Sequence, residues 1–215
     1  MDCGRIGPNS QPGHAHCDLL SFELSLAGRR LIVDTGVSGY DEDPRRAYVR
    51  STAAHNTVRV NGAEQSEMWG TFRVGRRARP LYGRIDAGPR GEITFSGAHG
   101  GYRHLPQRVI HARRLEWHPT ERVLLVEDRF DGRGEVRVES FLHLAPDMTI
   151  SGAGRDFELR RSGQRIARLC LVDHVDVELD AGIYCPEFGR SLPAPVAVMR
   201  KEAALPFALR FKIAA

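Results

Sequence analysis

Lysine is almost missing from these 215 residues. Of 31 basic side chains only Lys201 and Lys212 are lysines, which leaves 29 arginines. Cysteine is scarce too: Cys3, Cys17, Cys170 and Cys185 show no C-x-x-C spacing. They are too few for a disulfide scaffold of this length and read as free thiols. No apolar run approaches the ~20 residues that a membrane helix needs. The opening Met1-Asp2-Cys3-Gly4-Arg5 has no apolar h-region of a signal peptide. No stretch longer than about two turns keeps a 3.6-residue apolar period, which argues against a helical fold. No internal repeat, low-complexity tract or linker interrupts the chain. No helix-turn-helix, zinc-finger or ribonucleoprotein-type motif accompanies the arginines, so nucleic acid is a poor partner.

What is present is ordinary in amount and informative in kind. Hydrophobic residues make up 41% and charged residues 27%, with a net charge of +4, the composition of a globular protein. Arginine offers a planar fork that grips carboxylate, sulfate or phosphate through paired hydrogen bonds. An acidic ligand follows from that chemistry, while an arginine-biased genome is the other source of the same count.

Short strands with turn residues between them fill most of the chain. Asp18–Leu26 and Arg30–Val33 read as a hairpin around Ala27-Gly28, and Asn56–Val60 as a strand closed by Asn61-Gly62. Residues 36–50 read as a long functional loop, and 73–84 as a basic segment. Further strands are predicted at 92–96, 109–117, 122–130, 136–144, 149–151, 157–160, 166–171, 175–179 and 207–213. Turn signals about every 8–12 residues are the spacing of a β-sandwich or barrel. The reading is one all-β domain over 1–215, an antiparallel β-sandwich, with its functional half in 1–80.

That half is organised around Gly13-His14-Ala15-His16-Cys17-Asp18. In an extended chain His14, His16 and Asp18 share a face, and Ala15, Cys17 and Leu19 take the other. The hairpin brings Asp34 back towards His16, and His55 lies in a Ser/Thr/Asn setting. His16, Asp34 and His55 supply two imidazoles and a carboxylate, a usual set for zinc or a similar divalent metal. His14 is left over as an acid or base, because imidazole titrates near neutrality. Arg50 and Arg76, with Arg73 and Arg77, are candidates to bind a substrate carboxylate or sulfate. Solvated strand-face arginines are the alternative. His99, read in a loop, is a candidate for the cleft wall or a plain surface histidine. Asn9 and Asn56 are candidate donors behind the ligands. Tyr102 and Tyr184 are candidates to supply a phenol, although a buried tyrosine with a satisfied hydroxyl is the usual case.

Several motifs in order carry a resemblance. Pro12-Gly13-His14-Ala15-His16-Cys17-Asp18-Leu19-Leu20-Ser21-Phe22, Ile32-Val33-Asp34-Thr35-Gly36, Tyr48 to Val58 with Ala54-His55-Asn56-Thr57, and Asn61-Gly62-Ala63-Glu64-Gln65 resemble the heparinase II/III-like polysaccharide lyases. The likeness is densest over Asp2 to Pro80. It implies an antiparallel β-sandwich that follows an N-terminal α/α toroid. It also implies cleavage of uronate-containing, acidic polysaccharide by β-elimination. The metal, often zinc, would sit on the residues matching His16, Asp34 and His55, and His14 would lie in the cleft. The family's catalytic tyrosine, and the Asn or His that neutralises the uronate, come from the toroid. The chain shows no toroid and no export signal, though such lyases are commonly periplasmic or secreted. Other readings remain: a non-catalytic domain binding acidic glycan, or a non-haem iron oxygenase using His16, Asp18 and a distal histidine.

Overall fold

The computed structural model describes residues 1–8 and 10–215; Asn9, one of the two asparagines considered above, lies outside the described residues. Short strands come first: β1 (Leu24–Leu26), β2 (Arg29–Ile32), β3 (Val58–Val60), β4 (Met68–Trp69) and β5 (Arg73–Val74). Longer ones follow: β6 (Pro80–Ala87), β7 (Ile93–Tyr102), β8 (Val109–His118), β9 (Val123–Asp131) and β10 (Glu135–His143). The chain closes with β11 (Met148–Ala153), β12 (Asp156–Arg161), β13 (Gln164–Leu171), β14 (Asp176–Glu187), β15 (Arg190–Ala204) and β16 (Phe207–Ala214). Among the described residues no helix is long and apolar enough to cross a membrane.

Two antiparallel sheets make the sandwich. The larger has the order β11-β12-β13-β16-β9-β8-β7-β6, and the smaller β14-β15-β10-β3. Alternation sets their inner faces: Phe130, Leu209 and Phe211 from the larger sheet and Val138, Leu142 and Met199 from the smaller share one buried core. The β1/β2 hairpin turns at Ala27-Gly28, both at positive φ. It is stitched to the end of β10 by Val33 N–H to His143 O and by Ala145 N–H to Leu31 O, both 3.0 Å. Tyr102 is fully buried and donates its hydroxyl to Val58 O at 2.6 Å, tying β7 to β3. Tyr102→Phe is expected to cost about 1–2 kcal/mol by leaving that buried carbonyl short of a donor, measurable by urea unfolding.

The fold class is as the sequence predicts, and the differences have local causes. Residues 36–50 are not all loop: α1 (Pro44–Arg50) forms after Asp43, whose side chain accepts from Arg46 N–H at 2.8 Å with Pro44 at the first turn. The basic segment 73–84 holds β5 and the first part of β6, the edge of the larger sheet. β15 carries Pro193 and Pro195, which argue against a strand. Both lie beyond the reach of β10, whose ladder with β15 starts at His143↔Val196. There β14 runs alongside through Ala181↔Pro195 and Ile183↔Pro193, and on the other side Pro195 O still accepts from Leu144 N–H at 2.9 Å.

Candidate functional site

The site lies where the N-terminal segment, the β2 end and the turn before β3 meet. Residues 13–21 form turns rather than a strand, yet the predicted alternation holds. Ala15, Cys17 and Leu19 are buried, His14 is exposed, and His16 and Asp18 are half-buried. Cys17 Sγ meets Ser66 O at 3.3 Å, a packing role.

Asn56 clamps the segments together. Its Nδ2 donates to Phe22 O at 2.8 Å and Val33 O at 2.9 Å, and its Oδ1 accepts from His143 N–H at 2.7 Å. It therefore fixes the neighbours of Asp34 and His55 by backbone bonds. Gly36 completes the placement of Asp34. At φ +72° it lies against Cys185 O, where a Cβ would sit 2.5 Å from that oxygen, so only glycine fits.

His55 is buried, and its Nδ1–H donates to Asp34 Oδ2 at 2.7 Å. Burial disfavours the His55 cation, but Asp34 outweighs it and raises the pKa. Burial likewise opposes the Asp34 anion, yet His55 and the Gly36 N–H hold its carboxyl at about 2. His55 Nε2 is buried without a hydrogen-bond partner. The His16 ring lies 5.3 Å from the His55 ring. A guanidinium only donates, so His16 Nε2 accepts from Arg46 Nη1 at 3.3 Å. Burial, His55 and Arg46 push the His16 pKa down to about 3. Burial raises Asp18 to about 6. Among the described residues no group of three or more His, Cys, Asp or Glu side chains is placed to hold a metal ion. That holds for His16 with Asp34 and His55, and for His16 with Asp18.

His14 stands apart from this pair. Its Nδ1 is 2.9 Å from Tyr40 Oη, and the rings meet edge to face at 4.9 Å. Tyr40 is flanked by the Phe188 ring at 5.6 Å, the Phe72 ring at 6.1 Å and the Arg46 guanidinium at 5.0 Å. Phe72 and Phe188 are exposed. A cleft of about 460 Å³, lined by Arg5, Gln11, His14, His16 and Asp18 among others, opens beside the pair.

Three of the candidate substrate binders, Arg50, Arg76 and His99, are engaged elsewhere. Arg50 is fully buried and donates to Ala15 O, Gly70 O and Arg73 O. Arg76 donates to Gln65 O, Gly101 O and Glu64 O. His99 lies in β7 rather than a loop, fully buried with Nε2 3.1 Å from His111 Nδ1. Arg50 and His99 are buried, and Arg76, half-buried, is tied to three carbonyls; all three brace the walls of the site. Sequence reasoning missed Tyr40 and Arg46, whose only signal was their place in the segment 36–50 read as a functional loop; Arg46 lies in α1.

An antiparallel two-sheet sandwich with a His/Asp/Asn cluster at one end is the class that fold and site define. The chain belongs to the heparinase II/III-like family: the description "Heparinase II/III-like, C-terminal" matches residues 1–210. Solved structures agree on the fold. Heparan sulfate lyase HepC from Pedobacter heparinus superposes with a TM-score of 0.74 at 20% identity, over 94% of this chain and 31% of that one. A mutant of the same lyase gives 0.76 at 19% identity, over 100% and 32%. A structure of heparinase III gives 0.70 at 16% identity, over 94% and 30%. The chain thus spans about a third of the length of these proteins. No curated protein matches the sequence.

Proposed function

We propose that this chain is the sandwich part of a lyase that cleaves uronate-containing polysaccharide by β-elimination, with His14 as an acid or base. The observation that carries the reading is the exposed His14–Tyr40 pair at a cleft, set beside the buried Asp34–His55 pair. With Nδ1 held by Tyr40, His14 keeps Nε2 for substrate. In the reaction a base takes the C5 proton, the C4–oxygen bond breaks, and the leaving oxygen is protonated. A C4=C5 double bond remains and no water is consumed. Charge developing on the uronate carboxylate needs donors or positive charge. The exposed rings of Phe72 and Phe188 offer a pyranose an apolar wall. Residues from an α/α toroid, which the 215 residues do not contain, would supply the rest.

A divalent metal such as zinc fits the donor chemistry. His55 Nε2 is a buried nitrogen without a partner, and as neutral imidazole it offers a lone pair. His16 and Asp34 would complete the set, His16 giving up its contact with Arg46. The ion would supply rigidity, tying the N-terminal segment to the β2 end. Protons compete for the same nitrogens. Elemental analysis of the purified chain is expected to find about one zinc-like ion per chain, lost in His16→Ala and in Asp34→Ala. Iron lost in Asp18→Ala but kept in Asp34→Ala would point to the oxygenase chemistry instead.

The function is tested by mixing uronate polymers, heparan sulfate among them, with a protein that joins this chain to an α/α toroid. Ultraviolet absorbance then reports the unsaturated uronate. Absorbance growing with time supports the lyase. Binding of an acidic glycan without elimination would leave a binding domain, and the lyase reading would fall.

A further inference from the structure

The geometry points to Arg113 and Asp128 as positioning residues for the candidate site. They would hold, from the inner face of the larger sheet, the two turns that carry His16–Asp18 and His55. This deepens the lyase reading and rests on it for what the site does, but not for how the site is held.

The two residues face each other across β8 and β9 and are fully buried. Their pairing is bidentate, Arg113 Nε to Asp128 Oδ1 at 2.7 Å and Nη2 to Oδ2 at 2.8 Å. A guanidinium locked on two edges has its third donor group fixed in direction. That group, Nη1, donates to Leu20 O at 2.9 Å and to Asn56 O. Leu20 is the third residue of the turn from Asp18 to Ser21, closed by Ser21 N–H to Asp18 O at 2.9 Å. Asn56 follows His55 directly and is itself the clamp on Phe22, Val33 and His143. One nitrogen thus sets the distance between the two segments.

The surroundings fit the same role. Leu20 is buried at φ +66°, a conformation that a bulky residue keeps only where its neighbours over-determine it. Gly97 faces Arg113 in the sheet. A Cβ there would come within 3.0 Å of Leu20 Cδ2, so the missing side chain lets the turn approach. The aim of Asp128 is fixed by a chain of assigned protons. Gly101 N–H donates to His99 Nδ1 at 3.1 Å, so His99 carries its proton on Nε2 and donates to His111 Nδ1. His111 then donates from Nε2 to Asp128 Oδ1 at 2.7 Å. Buried polar groups linked in this way specify a single arrangement.

The test needs no substrate, so its outcome stands whatever becomes of the lyase reading. Amide hydrogen exchange is followed by NMR in the 215-residue chain and in Arg113→Lys, whose single ammonium cannot keep both carbonyls and both carboxylate oxygens. The amides of Cys17, Leu20, Ser21, Asn56 and Thr57 are all hydrogen-bonded. Their exchange is expected to quicken roughly tenfold or more while amides of β9 and β16 keep their rates. The ring signals of His16 and His55 should shift, and those of exposed His174 should not. A second variant, Arg113→Gln with Asp128→Asn, removes both charges, still accepts from His111, and is expected to loosen the same five amides. Exchange that rises evenly over the whole chain, or does not change at these amides, would overturn the proposal.

Discussion

Asp128→Ala is expected to lower the unfolding free energy by about 3–5 kcal/mol, because it leaves a buried cation without its counter-charge. Arg113 and Asp128 have no exposed side-chain surface, so water cannot take the place of the missing carboxylate. His111 would lose its acceptor as well. Urea unfolding at neutral pH measures the loss directly. A cost under about 1 kcal/mol would mean that Arg113 finds solvent or another acceptor.

The same pair has a pH signature of definite sign. Burial alone would raise the Asp128 pKa, but Arg113 and His111 hold it at about 2, below the ordinary 3.8. A carboxyl depressed in the folded state adds stability above its unfolded pKa and loses it as pH falls through the folded one. The window is therefore between about pH 4 and pH 2, and about 2 kcal/mol is at stake. Asp34, also held at about 2, adds to the loss in the same window. Asp128→Ala should remove the Asp128 share of the acid slope and leave the Asp34 share. An acid slope unchanged in the variant would show that other carboxyls carry it.

The arginine count looked like an anion-binding signal, and the structure gives much of it to the backbone. Arg50, Arg76, Arg113 and Arg161 all donate to main-chain carbonyls, mostly in irregular segments around the site. Those segments have few ladder partners, and an arginine fork can satisfy two or three carbonyls at once. A sequence shows the residue type but not whether its donors are already used. Arg50 and Arg76 therefore read as ligand-binding candidates. His99 misread for a different reason, since Gly97, Gly100 and Gly101 around it suggest a loop. In the fold Gly97 makes room for Leu20 within β7.

The cluster itself was legible because its members sit in short motifs whose spacing is fixed by a hairpin and a turn. Most of the strands after residue 90 were legible because their period of two faces a single core. β15 was not, since Pro193 and Pro195 argue against a strand and lie just past the end of its ladder with β10. α1 was not, since seven residues are too few to show a helical period. The pairing of His14 with Tyr40 depends on how the loop after Gly36 folds over the N-terminal segment. No local pattern encodes that contact.

The second large effect concerns His14. In a protein that joins this chain to an α/α toroid, His14→Ala is expected to lower kcat for β-elimination by about 10²–10⁴-fold, the usual worth of a placed acid or base. KM should change little, because the apolar rings beside the pair stay in place. Tyr40→Phe separates the parts of the pair. It keeps the ring packing on Phe72 and Phe188 but removes the hydroxyl 2.9 Å from His14 Nδ1. If Tyr40 only orients the imidazole, kcat should fall by roughly tenfold and the pH profile should keep its shape. If the hydroxyl moves a proton with His14, the fall should approach that of His14→Ala. His14 is exposed and Tyr40→Phe keeps its ring, so neither variant should alter the unfolding free energy by more than about 0.5 kcal/mol. Full activity in His14→Ala would remove this histidine from the chemistry and leave catalysis to the toroid.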